Sequence, residues 1–202
     1  MFLVGNDIDM IKEVKQQLHS KFDMKDLVPS HFILGVKIKR DRASKKLWLS
    51  QQKYVEGILK RFNMQDCKLV KVPILVGTKL YVHQCPKSEE EIEYMDHVPY
   101  ASAVGCLMYA MVYTRPNITH AVGVLSRYMT TPGKEHWTNI KRVFRYLRGM
   151  TDFAICYYGN YEDVRVHGFI DSDWAGEIDG RRSTSDYVFR LFGGAISWMS
   201  RK

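Results

Sequence analysis

The sequence predicts an α+β fold, and three observations predict it. Residues 32–50 hold two runs of alternating apolar and polar residues, residues 52–148 hold successive stretches at helical spacing, and strand signals return after Gly149. At 202 residues and 46% hydrophobic content, the chain can bury the core of one or two domains. Thirty Lys and Arg against 22 Asp and Glu leave a net charge of +8 and a pI near 9.3, which favours an anionic partner such as nucleic acid. Cys67, Cys85, Cys106 and Cys156 are widely separated, with no pair at zinc-knuckle or redox spacing. They read as free thiols in a reducing compartment. The most apolar run, Tyr100 to Tyr113, is shorter than the roughly 20 residues that span a bilayer. The N-terminus shows no basic region followed by a cleavable apolar core. The expectation is a protein without a membrane partner, intracellular, in the cytoplasm or nucleus.

Met1 to Val4 is a short apolar run that reads as a strand, broken at Gly5-Asn6-Asp7, where a helix cap is expected. Ile8, Ile11, Val14 and Leu18 then recur at helical spacing, with Lys12, Glu13, Lys15, Gln16 and Gln17 on the other side. One face should pack and the other stay wet. A domain rarely opens on an apolar strand, so further sequence upstream is expected.

Phe32, Leu34, Val36 and Ile38 alternate with polar or small neighbours through Arg40, and Lys46 to Ser50 forms a second strand around Leu47 and Leu49. Asp41-Arg42-Ala43-Ser44 joins them as a hairpin. Its outward face and loop carry Lys37, Lys39, Arg40, Arg42, Lys45 and Lys46 with Trp48, a density of cations beside an aromatic that suits a phosphate backbone. A charged, soluble sheet edge has the same pattern. Ser50 should cap the next helix, striped by Tyr54, Val55, Ile58, Leu59 and Phe62.

From Cys67 to Pro99 the pattern loosens around Pro73, Gly77 and Pro86, with an acidic patch at Glu89, Glu90, Glu91, Glu93 and Asp96. A surface linker is expected there, and a bound duplex should lie away from those acids. Tyr100 to Thr114 is apolar nearly all round, with Ala101, Val104, Leu107, Met108 and Met111, and reads as a buried helix ended by Arg115-Pro116. Another helix should run from Asn117 to Met129 and stop at Thr130-Thr131-Pro132-Gly133.

Lys134 to Arg148 contains five basic residues in fifteen. At about 100° per residue, Trp137, Ile140, Val143, Phe144 and Leu147 share one arc, while Lys134, Lys141, Arg145 and Arg148 share a neighbouring one. One arc buries and the other offers cations to a sugar-phosphate backbone, although solvated basic faces look alike.

After Gly149, strand signals fall at Phe153 to Tyr158, Val164 to Asp171, Tyr187 to Phe192 and, past a Gly193-Gly194 turn, Ala195 to Met199. An antiparallel meander is expected, with no helix left to cover either face, so the sheet should continue beyond Lys202. Within it, Phe169-Ile170-Asp171-Ser172-Asp173-Trp174 delivers two carboxylates at a strand end. Such acids present oxygen ligands to a hard cation such as Mg²⁺, or serve as turn formers and caps.

Three stretches carry a resemblance: LWLSQQKYVEGILKRFNM, VPYASAVGCLMYAMVYTRPNITHAVGVLSRYMTTPGKEHWTNIKRVFRYLRGM and GFIDSDWAGEIDGRRSTSDYVFRLFGGAISWMSRK. In order, and over essentially the whole chain, they resemble the Pol polyprotein of Ty1/copia-type LTR retrotransposons. The resemblance implies a partial reverse transcriptase followed by a truncated RNase H-like sheet. Residues 1–76 would be the C-terminal part of the palm and the start of the thumb. Residues 77–152 would form a helical thumb or connection segment, and residues 153–202 the beginning of the RNase H-like domain.

The opening MFLVGND resembles the strand after the family's YVDD turn, so the paired polymerase aspartates would lie before residue 1. Asp7 and Asp9 do not replace them, since both fall at a helix start. Asp171 matches the first acid of the RNase H site, with Asp173 a less certain metal-binding neighbour. A two-metal hydrolase needs several carboxylates, and the rest would lie past Lys202. Asp186 departs from the family, where a Gly usually follows STS. The resemblance therefore implies template-primer binding through Lys37, Lys39, Arg40, Trp48, Lys134, Lys141, Arg145 and Arg148. Its implied partners are an RNA/DNA hybrid or other nucleic acid and the remainder of Pol, with Mg²⁺ weakly held or absent and catalysis incomplete. Two other readings stand beside it: a noncatalytic intracellular binding or interaction protein reusing the same stretch, and a working ribonuclease if the product continues past Lys202.

Overall fold

A computed structural model describes residues 3–26, 30–159 and 164–202, and the chain divides into two compact units, Met1–His31 and Phe32–Lys202. The first unit is built on α1, Ile8–Lys21. Asp7 caps it as expected, its carboxylate accepting from the Asp9 and Met10 amides at 2.9 and 3.2 Å. The packed face does not follow: α1 has no buried residue, and Ile8 and Met10 are exposed. Leu3 and Val4 are not in a strand, and the first two residues of the expected strand lie outside the described residues.

The second unit opens with a four-stranded antiparallel sheet in the order β1 (Phe32–Ile33), β2 (Val36–Asp41), β3 (Lys46–Ser50), β4 (Ala154–Tyr158). The single strand expected from Phe32 to Arg40 is folded back on itself. Leu34 and Gly35 both take positive φ, 45° and 69°, and make the two-residue turn whose twist suits a hairpin. Leu34 therefore leaves the apolar alternation and is exposed. The β2–β3 hairpin forms as read, its loop fixed by the Asp41 carboxylate accepting from Ala43 and Ser44 amides.

A helical core follows: α2 (Gln52–Arg61), α3 (Glu89–Asp96), α4 (Tyr100–Thr114), α5 (Thr119–Leu125) and α6 (Lys134–Arg148). The Ser50 hydroxyl accepts from the Gln52 amide at 3.2 Å, one residue ahead of the cap position held by Gln51. Val55, Val104, Leu107, Ile118, Ile140, Val143, Phe144 and Leu147 are fully buried in one cluster, each large side chain contributing about 1.5–3 kcal/mol. The α6 periodicity is realised, with Trp137 at the margin. Helix α4 is buried on one side only, since Met108 and Val112 are exposed. The linker expected from Cys67 to Pro99 contains α3, capped by Ser88, whose hydroxyl accepts from the Glu91 amide while the Glu91 carboxylate accepts from the Lys87 amide. Residues 117–129 form α5 flanked by single 3₁₀ turns.

A second antiparallel sheet, β5 (His167–Ser172), β6 (Ser185–Leu191) and β7 (Gly194–Arg201), completes the unit. The meander differs from expectation in three ways. Strand β4 pairs with β3, joining the first sheet. The β6–β7 turn is Phe192-Gly193, with φ of 51° and 78°. One sheet face is covered along β7 by helices earlier in the chain, while β5 stays exposed throughout: the Trp198 indole N–H donates to the Met111 carbonyl at 2.9 Å, and Ser200 lies against Gly123 of α5. Among the described residues no helix is long and apolar enough to cross a membrane.

Candidate nucleic-acid interface

Antiparallel pairing brings Lys39, Trp48 and Cys156 level across β2, β3 and β4, with Lys37, Ser50 and Ala154 on one side of them and Asp41, Lys46 and Tyr158 on the other. Directly opposed residues share a sheet face, so Lys37, Lys39, Trp48, Lys46 and Tyr158 occupy one surface. The other surface carries Val36 and Ile38, both buried. The Lys39 ammonium stands 5.3 Å from the Trp48 ring centroid, and the Lys46 ammonium 5.4 Å from that of Tyr158. Asp41 is the acid on this face, but its carboxylate is occupied within its own loop. Hydrogen bonds to Ser44 and Ala43 hold it below the usual carboxylate range.

Arg40 does not belong to this surface. It pairs with Leu47 one residue out of phase with Lys39, so it projects from the opposite face of the sheet, though it stays exposed. Conversely, Tyr158 was not among the residues expected to bind. Its place beside Lys46 depends on a pairing across more than a hundred positions, and only the aromatic strand-end pair Tyr157-Tyr158 hints at it.

The basic arc of α6 divides by partner. The Arg145 Nε–H donates to the Lys68 carbonyl at 2.6 Å, and an Arg148 Nη1–H donates to the Cys67 carbonyl. These two guanidiniums tie the 67–68 segment to the helix. Lys134 is exposed at the helix start, 5.1 Å from the Tyr94 ring of α3. It lies close enough to Glu91 to help the Lys87 and Ser88 hydrogen bonds lower that carboxyl. Lys141 is half-buried. The arc is thus neither one continuous row of available cations nor remote from the acidic helix.

Asp171 lies on β5, exposed, directly opposite Asp186 of β6, and its carboxylate accepts from the Ser172 amide at 2.9 Å. Asp186 in turn stands 3.6 Å from the His120 imidazole of α5. The Asp173 carboxylate accepts from the Thr184 amide at 2.5 Å while the Asp173 amide donates to the Thr184 carbonyl, which closes the open end of the β5–β6 ladder. Asp173 is therefore held as a turn-fixing acid. Among the described residues no three His, Cys, Asp or Glu side chains come together to hold a metal ion. By themselves Asp171 and Asp173, the latter engaged by the Thr184 amide, supply too few oxygen ligands for a two-cation site.

The family model described as reverse transcriptase (RNA-dependent DNA polymerase) matches residues 1–76. The retrovirus-related Pol polyprotein from transposon TNT 1-94 of Nicotiana tabacum is 52% identical over 201 residues, 100% of this chain and 15% of that protein. The corresponding polyprotein from transposon RE2 of Arabidopsis thaliana is 35% identical over 202 residues, 100% of this chain and 13% of its own length. An uncharacterized mitochondrial protein of Arabidopsis thaliana is 35% identical over 202 residues, and there the match covers 80% of the relative. The chain belongs to the Ty1/copia-type retrotransposon Pol family. It spans only 13–15% of the length of the two transposon Pol polyproteins. No solved structure matches it. Within the Pol family, then, this segment combines reverse transcriptase sequence at residues 1–76 with mixed α and β structure and antiparallel sheets.

Proposed function

We propose that this Pol segment holds an RNA/DNA hybrid and does not cut it by itself. In this reading residues 1–76 are the end of the palm and start of the thumb, residues 77–152 a thumb or connection segment, and residues 153–202 the beginning of an RNase H-like domain. The observation that carries the proposal is the sheet face where Lys37, Lys39 and Lys46 surround Trp48 and Tyr158. Cations aligned at strand spacing suit a backbone that carries one charge per nucleotide, and the net charge of +8 acts in the same sense over longer range. Lys134 and Lys141 of α6 would add to the footprint, whereas Arg145 and Arg148 are already bound to carbonyls.

Asp171 stands in this reading as the first RNase H acid, supported by its place on the first strand of an antiparallel three-stranded sheet. One exposed carboxylate with a turn-fixing neighbour falls short of what two cations and an attacking water need. Hydrolysis would require acids from the rest of Pol, which is the second proposed partner, together with Mg²⁺ in that complete enzyme. Cytoplasm or nucleus is the proposed setting.

The test is binding of the purified chain to a labelled RNA/DNA hybrid across a salt series. Affinity is expected to fall steeply as salt rises, by about 0.9 log unit per engaged phosphate for each tenfold rise in salt. Salt-independent binding, or none at low salt, would sink the electrostatic reading. Incubation with Mg²⁺ is expected to leave the hybrid intact, and cleavage lost in Asp171→Asn would overturn the noncutting assignment.

A further inference from the structure

We infer that Trp48 and Tyr158, on the outer face of the four-stranded sheet, stack unpaired bases of a single strand, while the lysines around them meet phosphates of a strand or a duplex alike; the inference rests on the reading that this chain binds nucleic acid. Trp48 is at the middle of β3 and Tyr158 at the end of β4, diagonal to it through the Lys46–Tyr158 pair. Diagonal positions on neighbouring strands are about 7–8 Å apart, roughly two steps at the rise of about 3.4 Å per nucleotide of a stacked strand. Aromatic rings on an open sheet face with lysines around them form the arrangement that single strands use: the rings meet base faces and the cations meet the backbone. A duplex has its base faces already stacked inside and offers only phosphates and groove edges to a flat sheet. On a duplex the two rings would be left without base partners.

The surrounding groups agree with this occupant. Tyr158 is 41% exposed, and Lys37 and Lys39 are exposed. The ammoniums of Lys39 and Lys46 now rest over the two rings, where an exposed cation–π contact is weak. Stacking of a base on an aromatic ring is the stronger contact. An arriving base therefore outcompetes the ammonium for the ring, and the lysine swings on its flexible stem to the adjoining phosphate. Asp41, whose charge would oppose a phosphate here, is turned into its own loop by the Ala43 and Ser44 amides. With Lys37, Lys39 and Lys46 each meeting one phosphate, log affinity for a single strand should change with log salt at a slope of about −2.

The test uses the full chain with two probes, a labelled oligothymidylate and a blunt RNA/DNA hybrid, read by fluorescence anisotropy at low salt. Trp48→Leu and Tyr158→Leu are each expected to weaken oligothymidylate binding roughly five- to a hundredfold and to leave hybrid binding within about twofold. Trp48→Phe and Tyr158→Phe keep a ring and are expected to retain most of the affinity, which separates stacking from a folding defect. Lys39→Ala should flatten the single-strand salt slope by about 0.7. Leucine variants that fold like the parent, by circular dichroism, yet bind oligothymidylate normally would overturn the stacking assignment. So would equal losses for both probes, which would make the two rings part of the duplex contact rather than a platform for unpaired bases. If the parent chain binds neither probe, the wider nucleic-acid reading fails; if it binds the hybrid alone, only the present inference falls.

Discussion

His136 is a fully buried titratable side chain within the helical core, stacked on Tyr128 with centroids 3.9 Å apart. Its Nδ1 accepts from the Gly133 amide at 2.8 Å, which puts the ring proton on Nε2. A second proton would have to displace that amide and leave a cation in an apolar surround. Burial accordingly pushes the imidazole from 6.5 down to about 4, with the Asp179 charge pulling weakly the other way. The unfolded chain binds the proton more readily than the folded one. The stability contributed by neutral His136 is therefore fully present above about pH 6.5 and is lost as pH falls toward 4, an effect of at most about 3 kcal/mol. Thermal midpoints measured from pH 7.5 to 4.5 are expected to fall more steeply for the parent than for His136→Gln, whose amide can also accept from the Gly133 N–H. Parallel curves would show that His136 is not the group responsible.

At the scale of elements, the turn ahead of α6 is the tightest joint. Gly133 is the cap of that helix, and a Cβ there would run into the Gln84 carbonyl of the neighbouring 3₁₀ turn, Val82–Gln84. The clash is with backbone, which cannot move aside as a side-chain tip could. Gly133→Ala is expected to cost about 1–3 kcal/mol, whereas Gly57→Ala, at a helix position with open space around it, is expected to stabilise by up to about 1 kcal/mol. Urea denaturation of the two variants checks both signs. Such elements also show what one sequence can reveal. The Asp7 cap, the β2–β3 hairpin and the whole of α6 were legible because each is set by residues within a few positions of one another. Helix α3 carried a local signal too, the Ser88 and Glu91 capping pair, hidden beneath its run of acids. The Leu34-Gly35 turn was masked because Leu34 fits the alternation while violating it in space. Strand β4 was unreadable as a partner of β3, since nothing near Ala154–Tyr158 encodes an attachment so far back in the chain. The candidate interface inherited that limit: its lysines and Trp48 were visible, but Tyr158 and the outward loss of Arg40 follow from register alone.

For the molecule as a whole, the division at residue 31 and 32 has a thermodynamic consequence. Unit Phe32–Lys202 contains the buried helical core and both sheets, with contacts such as the Tyr157 hydroxyl donating to the Ala195 carbonyl at 2.6 Å across them. Unit Met1–His31 contains a 14-residue helix with no buried side chain. It is held by its Asp7 cap and exposed ion pairs such as Lys12–Asp9 and Lys15–Asp26. Exposed pairs of that kind are worth about 0–1 kcal/mol each, and isolated helices of this length are marginal in water. Amide exchange on the full chain should show the same split, fast through Ile8–Lys21 and slow through Tyr100–Thr114 and Lys134–Arg148. Amides of α1 protected as strongly as those of α6 would mean that α1 draws its stability from more than its own cap and ion pairs.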